Sequence, residues 1–261
     1  MLKDYHPKKL IIFSRAELKQ HEMRVKGFDH PSLRYFIGDV RDRDRLYRAF
    51  NGVDIVVHAA ALKQIPACEY NPLEAIMTNI IGAKNVIDAA IDQGVKKVMA
   101  LSTDKAVNPA NVMGSTKFIA EKITLDANRL SRDDQAFSCV RFGNVANSRG
   151  SVIPAFIESL RKGRPLTVTD PNITRFIMRV SDAVTLILKA TAYALGGEIF
   201  ILKMKAFKLG DLVDVICNRI APKLNISKEN VKVNTIGLIR GEKPHEDLIT
   251  NEEASRVYDF K

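Results

Sequence analysis

Five short apolar runs, separated by stretches of helical periodicity, constrain this chain more than any other feature. They are Lys9–Phe13 (KLIIF), Leu33–Ile37 (LRYFI), Val53–His58 (VDIVVH), Val98–Leu101 (VMAL) and Phe137–Arg141 (FSCVR). Short apolar runs bounded by turn residues read as buried strands. Between them, Asn71–Gln93 carries an apolar stripe through Leu73, Ile76, Ile80, Val86 and Ile87, the mark of an amphipathic helix. Strands alternating with helices predict an α/β fold, whose ligands bind at the carboxyl edge of the sheet.

One such edge is chemically dense. The stretch Leu101–Lys117 (LSTDKAVNPANVMGSTK) places Ser102, Thr103, Asp104 and Lys105 where the fourth strand ends. Met113 and Lys117, four residues apart, share one face of the helix that follows. Hydroxyl, carboxylate and amine groups are thereby gathered at one place.

Composition excludes more than it asserts. The 261 residues suffice for one α/β domain with a small appendage, and no apolar run approaches the roughly 20 residues that cross a bilayer. No signal peptide opens the chain. Cys68, Cys139 and Cys217 lack paired spacing, so reduced thiols and a cytoplasmic location are expected. The five histidines and three cysteines form no ligand-spaced pair, so no metal site is expected. The net charge of +10 comes from bases interleaved with acids, as in Arg41-Asp42-Arg43-Asp44-Arg45, without a nucleic-acid-binding motif. A solvated basic surface that attracts anionic small molecules accounts for it, with no nucleic-acid partner.

The Leu101–Lys117 stretch resembles the active site of the extended short-chain dehydrogenase/reductase superfamily. More narrowly, it is similar to the UDP-N-acetylglucosamine 4,6-dehydratases of polysaccharide biosynthesis. Their Thr-Asp-Lys triplet is matched by Thr103, Asp104 and Lys105, and Met113-x-x-x-Lys117 matches the branches with Met in place of Tyr. The likeness extends from about Lys9 to the C-terminus. It implies a Rossmann-like, doubly wound parallel sheet, with residues 1–165 binding NADP and 166–261 forming a small α/β substrate-binding part. Some of the latter segments are expected to return to the Rossmann layer.

The resemblance also distributes roles. Ser14, Arg15 and Lys19 follow the first run, where an arginine accommodates the 2′-phosphate of NADP and an acid favours NAD; NADP is therefore expected over NAD. Asp39 and Val40 would contact the adenine, and Asp39 also suits the N-cap of a helix over Arg41–Phe50. Ala59 would lie by the cofactor and Lys63 near its phosphates or the substrate. Ser102, Met113, Lys117 and Val145 would line the nicotinamide end, and Asn79 would brace the active-site lysine. Asn144, Ser151 and Val152 belong to RFGNVANSRGSVIP (Arg141–Pro154), a loop whose free amides and arginine suit a diphosphate. Arg175, in the Thr169–Phe176 element, and Arg240, in Ile239–Glu246, would face the substrate diphosphate or uracil. Glu242, Lys243 and His245 read as structural ion pairs. His58 reads as a packed strand-end residue.

The implied reaction is an internal redox dehydration of UDP-N-acetylglucosamine or a similar UDP-sugar through a 4-keto intermediate, with or without inversion at C5. Lys105 is expected as the C5 base, Asp104 as the acid, Thr103 as a sugar-orienting group and Lys117 as the ribose ligand. Met113 cannot transfer protons, and a packing role suits it equally. A homo-oligomer is expected by analogy. Two alternatives stand: a UDP-sugar 4-epimerase, and an inactive binding relic of the fold. The last arises because the chain contains no G-x-G-x-x-G turn. It passes from MLKDYHPKK into what matches a second strand, so about 30 residues of strand, turn and helix lack a counterpart. A truncated product or fragment with weak NADP binding and little activity is the expectation.

Overall fold

The computed structural model describes residues 2–259. A short helix α1 (Leu2–Tyr5) precedes β1 (Leu10–Ser14), α2 (Glu17–Val25), β2 (Leu33–Ile37), α3 (Arg43–Phe50) and β3 (Ile55–His58). Then come α4 (Ile65–Tyr70), α5 (Pro72–Ile76), a π turn (Met77–Ile81) and α6 (Gly82–Asp92). The central segment is β4 (Lys97–Thr103), α7 (Val112–Asp126) and β5 (Ala136–Phe142). The remainder runs β6 (Asn144–Val145), α8 (Val152–Arg161), β7 (Leu166–Val168), β8 (Thr174–Met178), α9 (Val180–Tyr193), β9 (Ile199–Ile201), β10 (Ala206–Lys208) and α10 (Leu209–Val215). It closes with β11 (Val233–Thr235) and α11 (Asn251–Ala254). All five strand expectations and the long helix from Asn71 are met, the last with a π turn inserted.

The main sheet is parallel and comes in two pieces. β1 pairs with β2, and β3, β4, β5 and β9 pair in that order. In a doubly wound sheet of order 3-2-1-4-5-6, the first strand would lie between the positions that β1 and β3 occupy. Among the described residues no ladder joins those two strands. On β3, Ile55 and Val57 are 51% and 42% exposed, far more than a strand buried on both sides allows. What joins the pieces is a shared helical core. Leu46 and Phe50 of α3 and Val86 and Ala90 of α6 pack with Phe13, Phe36 and Val56 from β1, β2 and β3. Each fully buried side chain of this size stabilises by roughly 1.5–3 kcal/mol, so apolar contact carries the join where hydrogen bonds do not.

The opposite face of β4 and β5 is covered by α9, whose Ala190 packs with Met99 and Val140. A second core lies in the C-terminal half, around Phe156, Leu160, Leu166, Leu209, Val213 and Ile216. Two small sheets belong to this half, β10–β8–β6 and β11–β7. β9 returns to the main sheet beside β5. No helix among the described residues is long and apolar enough to cross a membrane.

Two local expectations are corrected. The N-cap of α3 is Asp42, whose carboxylate accepts from the Arg45 amide at 3.0 Å. Asp39, three residues earlier, instead accepts from the Arg41 amide and guanidinium. Arg141, read as the end of the fifth strand run and also as the first residue of the substrate loop, belongs to the strand: it is the penultimate residue of β5 and is buried. Its guanidinium pairs with Glu121 of α7 and Glu253 of α11.

Candidate active site

The end of β4 turns sharply into a single 3-10 turn, Asp104–Ala106, capped by Thr103, whose hydroxyl accepts from the Lys105 amide. The start of α7 is pressed against this turn. A Cβ at Gly114 would stand 2.3 Å from the Lys105 carbonyl oxygen, so only glycine permits the approach. Asn111 caps α7 by accepting from the Gly114 amide at 2.8 Å, and donates to the Gly241 carbonyl at 2.8 Å. Gly241 has φ of +79°, and a Cβ there would meet the Asn111 side chain at 2.8 Å. A glycine directly after Arg240 thus serves a left-handed turn that docks the C-terminal segment on α7.

Three side chains at the strand end form a chain. Thr103 Oγ1 donates to Asp104 Oδ1 at 2.9 Å, and Lys105 Nζ donates to the same oxygen at 3.0 Å. Asp104 is 0% exposed, and its Oδ2 has no hydrogen-bond partner. On its other side, Lys105 Nζ stands 3.4 Å from Oε1 of Glu246. Lys105 and Glu246 lie on the wall of a cavity of about 270 Å³, together with Asn144, Ser151, Val152 and Arg175. Asn144 Oδ1 and Ser151 Oγ are buried without partners, as are Ser102 Oγ and Glu246 Oε2. Buried oxygens in a folded protein are nearly always paired, so the unpaired Asn144, Ser151 and Glu246 oxygens single out this cavity wall.

Behind the cavity lies a second group. Lys117 Nζ donates to the Leu101 carbonyl at 2.5 Å, and burial holds its amine below the ordinary value. Burial pushes the neighbouring His58 down to about 3, aided by the charge of Lys117, so the imidazole stays neutral. That agrees with a packed histidine. Asn79, expected to brace Lys117, does something else. From the π turn it accepts from the Leu62 amide and donates to the Leu62 carbonyl and to Thr116 Oγ1, pinning the loop after β3 to α7.

Met113 is buried with Cys68, Ala75, Leu62, Ile65 and Val112, and does not line the cavity. Val145 does line it. Arg175 lines the cavity too, but its guanidinium donates to Glu242 Oε1 at 2.8 Å and to the Thr174 and Pro244 carbonyls. Arg240 is 93% exposed, 3.8 Å from Glu69, and lies outside the cavity wall. Lys63 is exposed and also outside that wall.

The residues expected at the adenosine end meet where β1 and β2 finish. Arg15 lies 3.5 Å from Asp39 and is 53% exposed, leaving its guanidinium free on one side. Ser14 Oγ accepts from the Ala16 amide at 3.1 Å. Burial pushes the Asp39 carboxyl up, yet hydrogen bonds from Arg41 and the charges of Arg41 and Arg15 hold it below the usual range. Val40 is buried beneath; Lys19 and Ala59 are exposed. Among the described residues no cluster of three or more His, Cys, Asp or Glu could hold a metal.

A family model described as polysaccharide biosynthesis protein matches residues 1–261. The chain belongs to that family. Among its curated relatives is the UDP-N-acetylglucosamine 4,6-dehydratase (inverting) of Campylobacter jejuni, 44% identical over 100% of this chain and 75% of the relative. The UDP-glucose 4-epimerase of Rickettsia canadensis is also 44% identical, over 97% of this chain and 72% of its own. The crystal structure of Pen from Bacillus thuringiensis superposes with a TM-score of 0.93 at 42% identity, covering 97% of this chain and 77% of that one. The fold is that of the extended short-chain dehydrogenases. Glu246 is a charged cavity residue to which motif reading gave no role. Its only signal was its place as the last residue of the Ile239–Glu246 element.

Proposed function

We propose that this protein is a nucleotide-sugar 4,6-dehydratase that acts on UDP-N-acetylglucosamine with NADP. The observation that supports it best is the hydrogen-bonded chain Thr103–Asp104–Lys105 at the cavity wall. Dehydration at C5 and C6 asks for a base, an acid and an orienting hydroxyl, each typically worth ~10²- to 10⁴-fold when it moves a proton. A 4-epimerase needs redox and a rotation of the sugar, and this trio exceeds that need. The equal identity to the Rickettsia epimerase keeps 4-epimerisation as the second reading.

Lys105 takes the C5 proton, since its Nζ is the group of the trio on the cavity wall. Asp104, fully enclosed behind it with Oδ1 held by Thr103 and Lys105, takes the C4 hydroxyl proton as hydride leaves C4 and returns it through Oδ2 to the departing C6 hydroxyl, while Lys105 gives its proton back to C5 when hydride reaches C6. Thr103 orients the sugar, and Asn144, Ser151 and Val152 receive the nucleotide side. Arg175 turns to the diphosphate by leaving Glu242, and Lys63 and Arg240 close over it from solvent. The bound dinucleotide supplies the acceptor and donor of hydride. Its two ends find suitable groups: the unpartnered Ser102 Oγ and buried Lys117 beside Val145 at one, and Arg15, Lys19, Asp39 and Val40 at the other, with Ala59 between. Arg15 presents a planar fork suited to a 2′-phosphate. We assign the protein to the cytoplasm, in keeping with three unpaired buried thiols, and to a homo-oligomer joined through the exposed apolar Leu73, Ile76, Met77 and Ile119.

Incubation with UDP-N-acetylglucosamine and NADP⁺, followed by proton NMR, tests this. A 4-keto-6-deoxy product is expected, reduced ~10²-fold or more by Asp104→Asn or Lys105→Ala. UDP-N-acetylgalactosamine alone would establish the epimerase, and no turnover at saturating substrate and NADP⁺ sinks both.

A further inference from the structure

We propose that Glu246 is a positioning residue of this site, holding the Lys105 ammonium at the cavity wall from the side opposite Asp104. The inference rests on the reading of Lys105 as the proton-transferring group. Lys105 is a long, flexible side chain with three rotatable donors, and one hydrogen bond to Asp104 leaves its direction loosely set. A second carboxylate at 3.4 Å fixes it between two anions.

Glu246 is built for more than packing. Its side chain is 3% exposed, a burial that an unpaired carboxylate does not tolerate. Yet its nearest partners are both lysines on the site side, Lys105 at Oε1 and Lys243 at 3.1 Å from Oε2. Lys243 also donates to the Val107 carbonyl at 2.9 Å, and its 3.1 Å contact with Oε2 is an ion pair without hydrogen-bond alignment. A carboxylate serving only to join two segments would have both oxygens satisfied. The charged groups facing Lys105 are then Asp104 from the end of β4 and Glu246, with Lys243 behind it, from the C-terminal segment; Glu242 shares the cavity wall but is engaged by Arg175 and Thr169.

The backbone explains how a residue so distant in sequence arrives there. The Gly241 carbonyl is held by Asn111, the Pro244 carbonyl accepts from the Thr174 amide, and His245 Nδ1 meets Thr174 Oγ1 at 2.9 Å. The segment 241–246 is thus pinned to the start of α7 and to β8, and Glu246 is delivered onto Lys105 between them.

Two readouts test the role separately. First, pulsed acylation of lysines at pH 8, quantified by mass spectrometry, reports the Lys105 amine without requiring turnover. The 3.4 Å contact holds the Lys105 amine against the cavity wall, so loosening it in Glu246→Gln is expected to raise Lys105 labelling about tenfold relative to Lys203, which is 94% exposed. Second, in the dehydratase assay, Glu246→Gln is expected to lower kcat by about tenfold or more with KM within about twofold, and Glu246→Asp to fall between. If Glu246→Gln melts below the assay temperature, labelling of Glu246→Asp takes its place, because one methylene withdraws the carboxylate from contact. Unchanged Lys105 labelling in a folded variant overturns the proposal. A wild-type chain without turnover sinks the dehydratase reading while the labelling result still stands for or against Glu246.

Discussion

Replacing Arg141 with methionine should strongly destabilise this fold. The guanidinium makes five hydrogen bonds: to both oxygens of Glu121, to both of Glu253, and to the Leu248 carbonyl, at 2.8 to 3.0 Å. Burial works against its charge, but the two carboxylates hold it protonated well above the ordinary value. Arg141→Met leaves Glu121, whose side chain is 1% exposed, without a counter-ion. Removing one partner of such a buried pair costs about 3–5 kcal/mol. At roughly 2–4 °C per kcal/mol for a chain of this size, Tm should fall by about 6–20 °C. Glu253→Gln should cost less, since that side chain is 30% exposed and water replaces part of what is lost. The double variant Arg141→Met/Glu121→Leu should return to within about 2 kcal/mol of wild type, because it removes both buried charges together. Urea unfolding at pH 7 followed by circular dichroism measures all three. The pH dependence adds a check of sign. Burial raises the Glu253 carboxyl, but Arg141 holds it below its ordinary 4.5, so its contribution is present above that pH and lost as pH falls through the folded value. Wild type and Arg141→Met should therefore converge below pH 4.5. A cost under about 1 kcal/mol for Arg141→Met, or a double variant worse than both singles, would refute this account of the cluster.

Two further outcomes follow from side-chain placement. Met113→Leu should keep turnover within about twofold and cost under ~1.5 kcal/mol, because the thioether only fills space beside Cys68 and Ala75; a large loss of kcat with unchanged Tm would place it in the chemistry. Arg15→Ala should weaken NADP binding about tenfold in calorimetry and leave NAD nearly unchanged, since a half-exposed guanidinium loses one charge-assisted contact to the 2′-phosphate. Equal losses for both dinucleotides would remove Arg15 from cofactor choice.

Much of the frame is local and so could be read from residues in order. The run VMAL of β4 is apolar because both faces of the parallel sheet are covered there, and that fact survives in one dimension. The Thr103–Lys105 trio was equally legible, since consecutive residues at a strand end must share one edge of the sheet. What tertiary structure decided were the partnerships across long separations. Arg141 reads as the end of a strand run, and only the fold brings Glu121 and Glu253, 20 and 112 residues away, onto it. Arg175 is bound to Glu242, and Arg240 points to solvent, though motif reading treated the two alike. Met113 and Lys117 share a helix face in sequence, yet one fills a small apolar cluster and the other reaches the Leu101 carbonyl.

The sheet itself shows the same division. The sequence alone established that Lys9–Phe13 and Val53–His58 are strands, because an apolar run is a property of the chain. That β1 and β3 carry no ladder to each other, yet stay in one body through Leu46, Phe50, Val86 and Ala90, was settled only in three dimensions. Apolar contact is non-directional and roughly additive in area, so a helical layer can hold two sheet pieces where backbone hydrogen bonding, which needs a strand in register, does not. Lys105 follows the same rule: its identity and place at the strand end are written in the chain, while the carboxylate of Glu246 that faces it was brought there by the fold.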